Sequence, residues 1–268
     1  MQALDRSRTL EWAFAAELTQ HASESPSLAG ARLCFGGVGS WHNQAVGLGF
    51  AGPASDRDLD ELIQFYGERG VEPRAVLSPY ADTSWMTGMA ARGFTPRELE
   101  NLLVFDLDRA PQPPGRPDPA GLEIVRVHAA SPEVDTYIDA STSGFRGPDE
   151  PVSERFEAMA RRTLSLPQCY CYLARVQGEA AGGGMFNRAG DVALFFGTSV
   201  RREFQRRGIQ TRLLLHRLAI AKQLGCRLAA VVSSPLVGTE WNARRLGFEL
   251  GYSRLTLALA GDGWEASP

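Results

Sequence analysis

The sequence has no apolar run approaching the roughly 18 residues of a membrane span. Its opening, "MQALDRSRTL", lacks the apolar centre of a secretory signal, so a cytoplasmic chain with no membrane partner is expected. Cysteine is sparse: Cys34, Cys169, Cys171 and Cys226 form no C-x-x-C pair and show no metal-type spacing. Cys169 and Cys171, two apart in "QCYCYLARV", share one face of a strand, which reads as reduced thiols in a core. There is no basic excess either, and a net charge of −3 speaks against a nucleic-acid partner. No cluster of His, Asp and Cys suggests a metal, so none is expected. No G-x-S-x-G and no Ser-His-Asp order points to a hydrolase.

What is present is an ordinary globular composition, 44% hydrophobic and 22% charged, with core enough for one or two domains at 268 residues. The stretch "DRAPQPPGRPDPAG", Asp108 to Gly121, holds five prolines and almost nothing apolar. It can continue neither a helix nor a central strand and reads as a linker. The expected organisation is a lobe over 1–108, a linker over 109–121, a second lobe over 122–260 and a flexible tail over 261–268.

The second part alternates strands and helices. "LEIVRV" reads as a strand, Ser131-Pro132 as a helix start, and "SERFEAMARRTLSL" as a second helix. "CYCYLARV", "AAGGGMFNR" and "VALFFGTSV" follow as strands. A long helix carries Leu214, Leu218 and Ala221 on one face and stops at Gly225. "RLAAVVSS" is a buried strand, "TEWNARRLGF" a short helix and "YSRLTLAL" a closing strand. The first part repeats the end of this plan: "NQAVGLGF", "DRDLDELIQFYGERG", "PRAVLS", "TSWMTGMAARGF" and "ELENLLVFDL". Gly93-Phe94 lies 37 residues after Asp56, and Gly247-Phe248 lies 39 after Gly208. Same order, spacing and punctuation indicate a duplication. The fold class expected is α/β (α+β), two lobes each with a mixed, mostly antiparallel sheet flanked by helices.

One junction stands out. In "EFQRRGIQTRLLLHRLA", Glu203 to Ala219, two arginines and a glycine precede a strongly helical run. A helix start already exposes unpaired N–H groups and the positive end of its dipole. Extra positive charge there suits an incoming phosphate. Arg201, Arg202, Arg206, Arg207 and Arg212 all fall close by. Beyond Phe204 no aromatic platform accompanies them, so an RNA surface is the weaker reading.

This segment resembles the acyl-CoA-binding motif of the GNAT N-acetyltransferase superfamily, Q/R-x-x-G-x-G/A between a strand and a long helix. Here it reads Gln205-Arg206-Arg207-Gly208-Ile209-Gln210, with Gln210 in place of the small sixth residue. With the flanking strands and the "RLGF" helix end, the resemblance covers most of 121–260. It implies acetyl-CoA as co-substrate and no metal. Contacts fall to Ser199, Val200, Gln205, Arg206, Arg207, Gly208, Ile209, Gln210 and Thr211. It also implies direct acetyl transfer to the primary amine of a small molecule, by a monomer or homodimer. The other lobe reads as a degenerate copy, because its corresponding helix start, "GPASDRDLDELI", is filled with carboxylates and a capping-box-like Ser55/Asp58 pair.

The resemblance further implies a backbone oxyanion donor on the strand before the motif, at Ser199 or Val200. The family's usual acid, a tyrosine four residues before the helix-ending glycine, is Ala243 here. Tyr252 on the closing strand is the substitute candidate. Asp149 and Glu150 in "RGPDEPVS" are candidate bases for the amine, which is protonated at neutral pH. Glu240 and Glu249 are weaker candidates, and His216 reads as solvated. Two other readings stay open: a silent CoA-binding or regulatory module, and an aminoacyl-type transferase.

Overall fold

The structure is a computed structural model that describes residues 3–112, 115, 117–147 and 150–265. In chain order its elements are α1 (Ala3–His21), β1 (Ser27–Leu28), β2 (Ala31–Cys34), β3 (Gln44–Val46), α2 (Asp56–Gly67), β4 (Arg74–Leu77), α3 (Thr83–Ala91) and β5 (Thr95–Asp106). There follow β6 (Leu122–Val127), α4 (Val134–Thr142), α5 (Glu154–Ser165), β7 (Cys169–Val176), β8 (Glu179–Ala189), β9 (Val192–Val200), α6 (Ile209–Gln223), β10 (Leu228–Ser233), α7 (Gly238–Arg245) and β11 (Glu249–Ala258). These fold into two compact units, Met1–Leu102 with Leu250–Pro268, and Leu103–Glu249.

Unit 1 orders its strands β1-β2-β3-β4-β11, followed by the first part of β5. β3 and β4 run parallel, while β11 is antiparallel to β4, with Leu255 opposite Leu77 and Ala258 opposite Arg74. The closing strand therefore belongs to unit 1, not to a lobe spanning 122–260. Its ladder hydrogen bonds decide this, since chain order does not dictate where an edge finds its partner. α2 presents Leu59, Leu62, Phe65 and Tyr66 to a core that includes Leu33, Leu48, Trp85 and Met89. Burying each such side chain contributes about 1.5–3 kcal/mol.

Helix α1 has no counterpart in the sequence reading, and the reason is physical. Besides Leu10, Ala13, Phe14 and Leu18 it buries Ser7, Glu11, Glu17 and His21. Polar residues on the buried face break the apolar period that reveals a helix.

Unit 2 orders its strands β10-β9-β8-β7-β6, preceded by the last part of β5. β6 to β9 form antiparallel pairs and β9 to β10 is parallel. α6 lays Ile209, Leu213, Leu214, Leu218 and Ala221 into a core with Phe186, Phe195, Ala229 and Phe248. On α4, Val134, Tyr137, Ile138 and Ala140 pack with Cys171, Leu173 and Ala180 in a second cluster. Helix α4 begins at Val134 rather than at the Ser131-Pro132 start expected, although Ser131 Oγ does accept the N–H of Glu133.

The triple glycine of β8 makes these close approaches tolerable. A Cβ on Gly182 would meet Ser199 O at 2.4 Å, and one on Gly183 would meet Ser141 Cβ at 2.8 Å. The small residues thus admit a neighbouring strand and helix.

Candidate active site

Three features of unit 2 converge at the end of β9. The first is a splay. The parallel ladder to β10 runs from Val192–Leu228 to Phe195–Val231 and ends there. Beyond it β9 stays on β8, pairing Ser199 with Gly183 and Val200 with Gly182. The change of course is a β-bulge opposite Gly183/Met185, with Gly197 at φ +54°, a left-handed value that glycine adopts without penalty. Past the bulge, the Arg201 N–H donates to Ala181 O on β8 at 2.9 Å. Strand N–H groups alternate between edges, so Ser199 shares that edge and Val200 turns its N–H toward the gap left by β10. Val200 O, on the same edge, accepts from Gln205 Nε2 at 3.3 Å.

The second feature is a brace behind the bulge that sequence reasoning missed. Arg217 of α6 is 1% exposed. Its Nη1 donates to Met185 O at 2.8 Å, its Nη2 to Thr198 Oγ1 at 2.8 Å, and its Nε to Leu213 O at 3.0 Å. The guanidinium sits 4.9 Å over the Phe195 ring. Burial pulls its pKa down to about 10, against the opposing pull of Tyr137, Tyr172 and Cys171. A cation here replaces its lost hydration with oxygens on both sides of the bulge, which fixes the bulge in place. No sequence signal marks it, because an arginine on an otherwise apolar helix face reads as solvated.

The third feature is the helix start. After a 3-10 turn at Arg202–Phe204, Arg206 takes φ +62° and Gly208 φ +84°, and α6 begins at Ile209 with no side chain capping it. Nothing lies within 4 Å of where a Gly208 Cβ would be. Phe204 and Ile209 are buried on either side, at 6% and 1%, so the loop is anchored while its backbone stays open. Arg206 and Arg207 line a cavity of about 440 Å³ with Pro117, Asp118, Pro119, Val176 and Gln177. Not every arginine of the junction faces it. Arg201 pairs with Asp139 and bonds Ala180 O, and Arg212 pairs with Asp118. Gln210 turns its side chain to Asn242 of α7, leaving its backbone N–H at the helix start.

The remaining sequence candidates fall as follows. Ser199 is 4% exposed, and its Oγ accepts the Gly144 N–H at 2.6 Å and lies 3.1 Å from Ser143 Oγ. Its hydroxyl ties β9 to the end of α4, and its N–H lies on the β8 edge, so of the pair only Val200 turns its N–H to the gap. Glu150 is exposed and accepts the Gly147 N–H at 2.9 Å. Asp149 lies outside the described residues. Ala243 is fully buried in the unit 2 core. Glu240 is committed to the Leu236 N–H and Arg244, and Glu249 to Arg109. His216, expected to be solvated, is half-buried with its ring 4.8 Å from Tyr172, and burial lowers its pKa.

Tyr252 requires a correction. It belongs to unit 1, is 6% exposed, and donates to Glu11 Oε1 at 2.7 Å. Burial, reinforced by Glu11, holds its hydroxyl far above the usual phenol range. α1, invisible in the sequence, supplies the partner of this hydroxyl.

Residues 135–248, which lie within unit 2, match the acetyltransferase (GNAT) family. No curated protein matches the chain in sequence. Solved structures extend the likeness to the whole chain. A GCN5-related N-acetyltransferase from Kribbella flavida shares 17% identity over 93% of this chain and 95% of its own, at a TM-score of 0.69. A tandem GNAT protein from the clavulanic acid biosynthesis pathway shares 17% identity over 97% and 96%, at 0.59. A GNAT-family protein from Novosphingobium aromaticivorans, described as a putative acetyltransferase, shares 18% over 93% and 97%, at 0.55. At these identities the likeness is one of fold, and the fold is that of a two-lobed GNAT protein.

Proposed function

We propose that the chain is an acetyl-CoA-dependent N-acetyltransferase that transfers an acetyl group directly to the primary amine of a small molecule, in the cytoplasm. The carrying observation is the uncapped, glycine-led start of α6 beside a splayed β9, within residues that match the GNAT family. The N–H groups of Ile209, Gln210 and Thr211 suit a pyrophosphate, with Gln205, Arg206 and Arg207 adding donors and charge. Acetyl-CoA supplies an acyl group activated as a thioester. The Val200 N–H, turned into the gap, is the donor for the carbonyl oxygen as it gains charge. Glu150 and Asp149, in the loop after α4, remain the proposed bases for the amine. No acid is assigned, since a thiol of pKa about 8.5 departs readily as the thiolate. Unit 1 is proposed as the degenerate copy: its series β3, α2, β4, α3 repeats β9, α6, β10, α7.

Calorimetric titration of acetyl-CoA into the wild type and Gly208→Glu tests this. Saturable binding by the wild type and none by the variant supports the assignment; no binding to the folded wild type overturns it. A second reading, a CoA-binding module without turnover, is favoured by the buried Ala243 and the committed Tyr252 hydroxyl. It predicts binding without free-thiol release on any amine.

A further inference from the structure

We infer that unit 1 holds a site for a divalent transition metal of the zinc class, formed by Glu17, His21 and His42. The three are 3%, 7% and 4% exposed, and their ligand atoms lie within 4.8 Å of one another. The sequence disguises the set. Glu17 and His21 stand one helical turn apart on α1, and His42 comes from the loop after β2.

The spacing is compatible with a shared ion: ligands about 2.1 Å from a tetrahedral zinc lie about 3.4 Å apart, and Glu17 Oε1 and His21 Nε2 are 3.3 Å apart. Bringing the widest ligand pair to a tetrahedral edge takes about 1.4 Å of side-chain movement.

The loop that carries His42 is built to present it. Gly36 N–H donates to Asn43 Oδ1 and Asn43 Nδ2 donates to Gly37 O, both at 2.8 Å. Gly37 and Gly39 take φ of +99° and +69° within it. Ser40 Oγ lies 3.2 Å from His42 Nδ1, the outer partner that leaves Nε2 as the ligating nitrogen. The His42 ring centroid lies 4.8 Å from that of His21, with the planes 14° apart, and 3.9 Å from that of Trp41, so binding one ion also requires an imidazole to turn. On the α1 side, Nε2 is the His21 nitrogen that faces the Glu17 carboxylate, and it is the one that would ligate. One carboxylate oxygen and two imidazole nitrogens, with water in the fourth position, form a common zinc donor set.

The test loads the chelator-treated full chain with Co²⁺ and with Zn²⁺. Expected are one equivalent of metal by elemental analysis, the intense visible bands of tetrahedral Co²⁺, and a raised thermal midpoint. Glu17→Gln and His42→Gln should each weaken binding at least tenfold. Should either variant fail to fold, the imidazole nitrogen resonances of the wild type decide: zinc should shift those of His21 and His42 together. A folded wild type that binds no metal stoichiometrically overturns the site, as does binding that leaves both histidines unshifted. Neither outcome bears on acetyl-CoA, which is assigned to unit 2.

Discussion

Two helix starts, at equivalent points of a repeated plan, have opposite chemistry. In unit 1, α2 is closed from within. Ser55 Oγ accepts the Asp58 N–H at 3.2 Å, and Asp58 accepts the Ser55 N–H at 2.9 Å. The loop before it is bound as well. Asp82 N–H donates to Gly49 O at 3.0 Å, Ala54 N–H to Ser84 Oγ at 2.8 Å, and Trp85 Nε1 to Gly52 O at 3.2 Å. A Cβ on Gly49 would meet Asp82 N at 2.7 Å, so the loop is packed tightly at that point, while Gly47, Phe50 and Ala51 line a cavity of about 590 Å³ on the α1 side. In unit 2, α6 has no side-chain cap and open space beside Gly208. A helix start has a fixed set of N–H groups to satisfy. Unit 1 meets part of that need with the side chains of Ser55 and Asp58, whereas no side chain does so at α6 of unit 2.

The largest expected effect tests whether that difference is sufficient. Gly208→Glu should weaken acetyl-CoA binding at least 100-fold, because the new carboxylate faces the phosphate position and the φ of +84° disfavours any side chain. The reciprocal change, Ser55→Ala with Asp58→Ala, should create no acetyl-CoA affinity, because Ala54 N–H stays bound to Ser84 Oγ and the Gly49–Asp82 hydrogen bond still holds the loop backbone. Affinity appearing in the double variant, read by calorimetry, would show that capping alone separates the units.

Next in size is the Arg217 brace. Arg217→Met should destabilise the protein by about 2–4 kcal/mol, since buried oxygens such as Met185 O lose a charged donor. Urea unfolding measures this. Arg217→Lys should recover part of the stability but not the fork that spans Met185 O and Thr198 Oγ1. If acetyl-CoA binding and turnover survive Arg217→Met at full strength, the bulge holds without its brace.

A smaller effect belongs to the capping box. Ser55→Ala should cost about 1 kcal/mol of stability, the usual worth of an N-cap. A loss near zero would mean that water satisfies the α2 start as well as Ser55 does.

Legibility followed local chemistry. The glycine-led start of α6, the Ser55/Asp58 box and the Gly93 and Gly247 stops are visible because each needs a particular residue at a particular spacing. Long-range pairing was not. "YSRLTLAL" reads as a strand, but nothing in its side chains says that its edge belongs to β4. α1 stayed hidden because Ser7, Glu11, Glu17 and His21 sit on its buried face. That one omission concealed both the partner of Tyr252 and the donor set around His21. Arg217 was missed for the related reason that a buried cation leaves no trace in a hydrophobic pattern.

The smallest expected effect concerns what the units share. Burial pushes the thiols of Cys34 in unit 1 and Cys171 in unit 2 each up to about 11. Both are core residues, at 0% and 1% exposure, and Cys169 and Cys226 are buried too. Since only the thiolate attacks a disulfide reagent, none of the four should react at pH 8 in the folded chain, and all four should react in denaturant. A native thiol that reacts must be reached by local opening. If Cys34 alone reacts, unit 1 opens more readily than unit 2, and the closed helix start does not make for a more rigid unit. If Cys171 reacts first, opening is concentrated beside α4 and β8, in the unit whose helix start has no side-chain cap. Mass-resolved labelling over time separates these outcomes, and saturating acetyl-CoA should slow only the second.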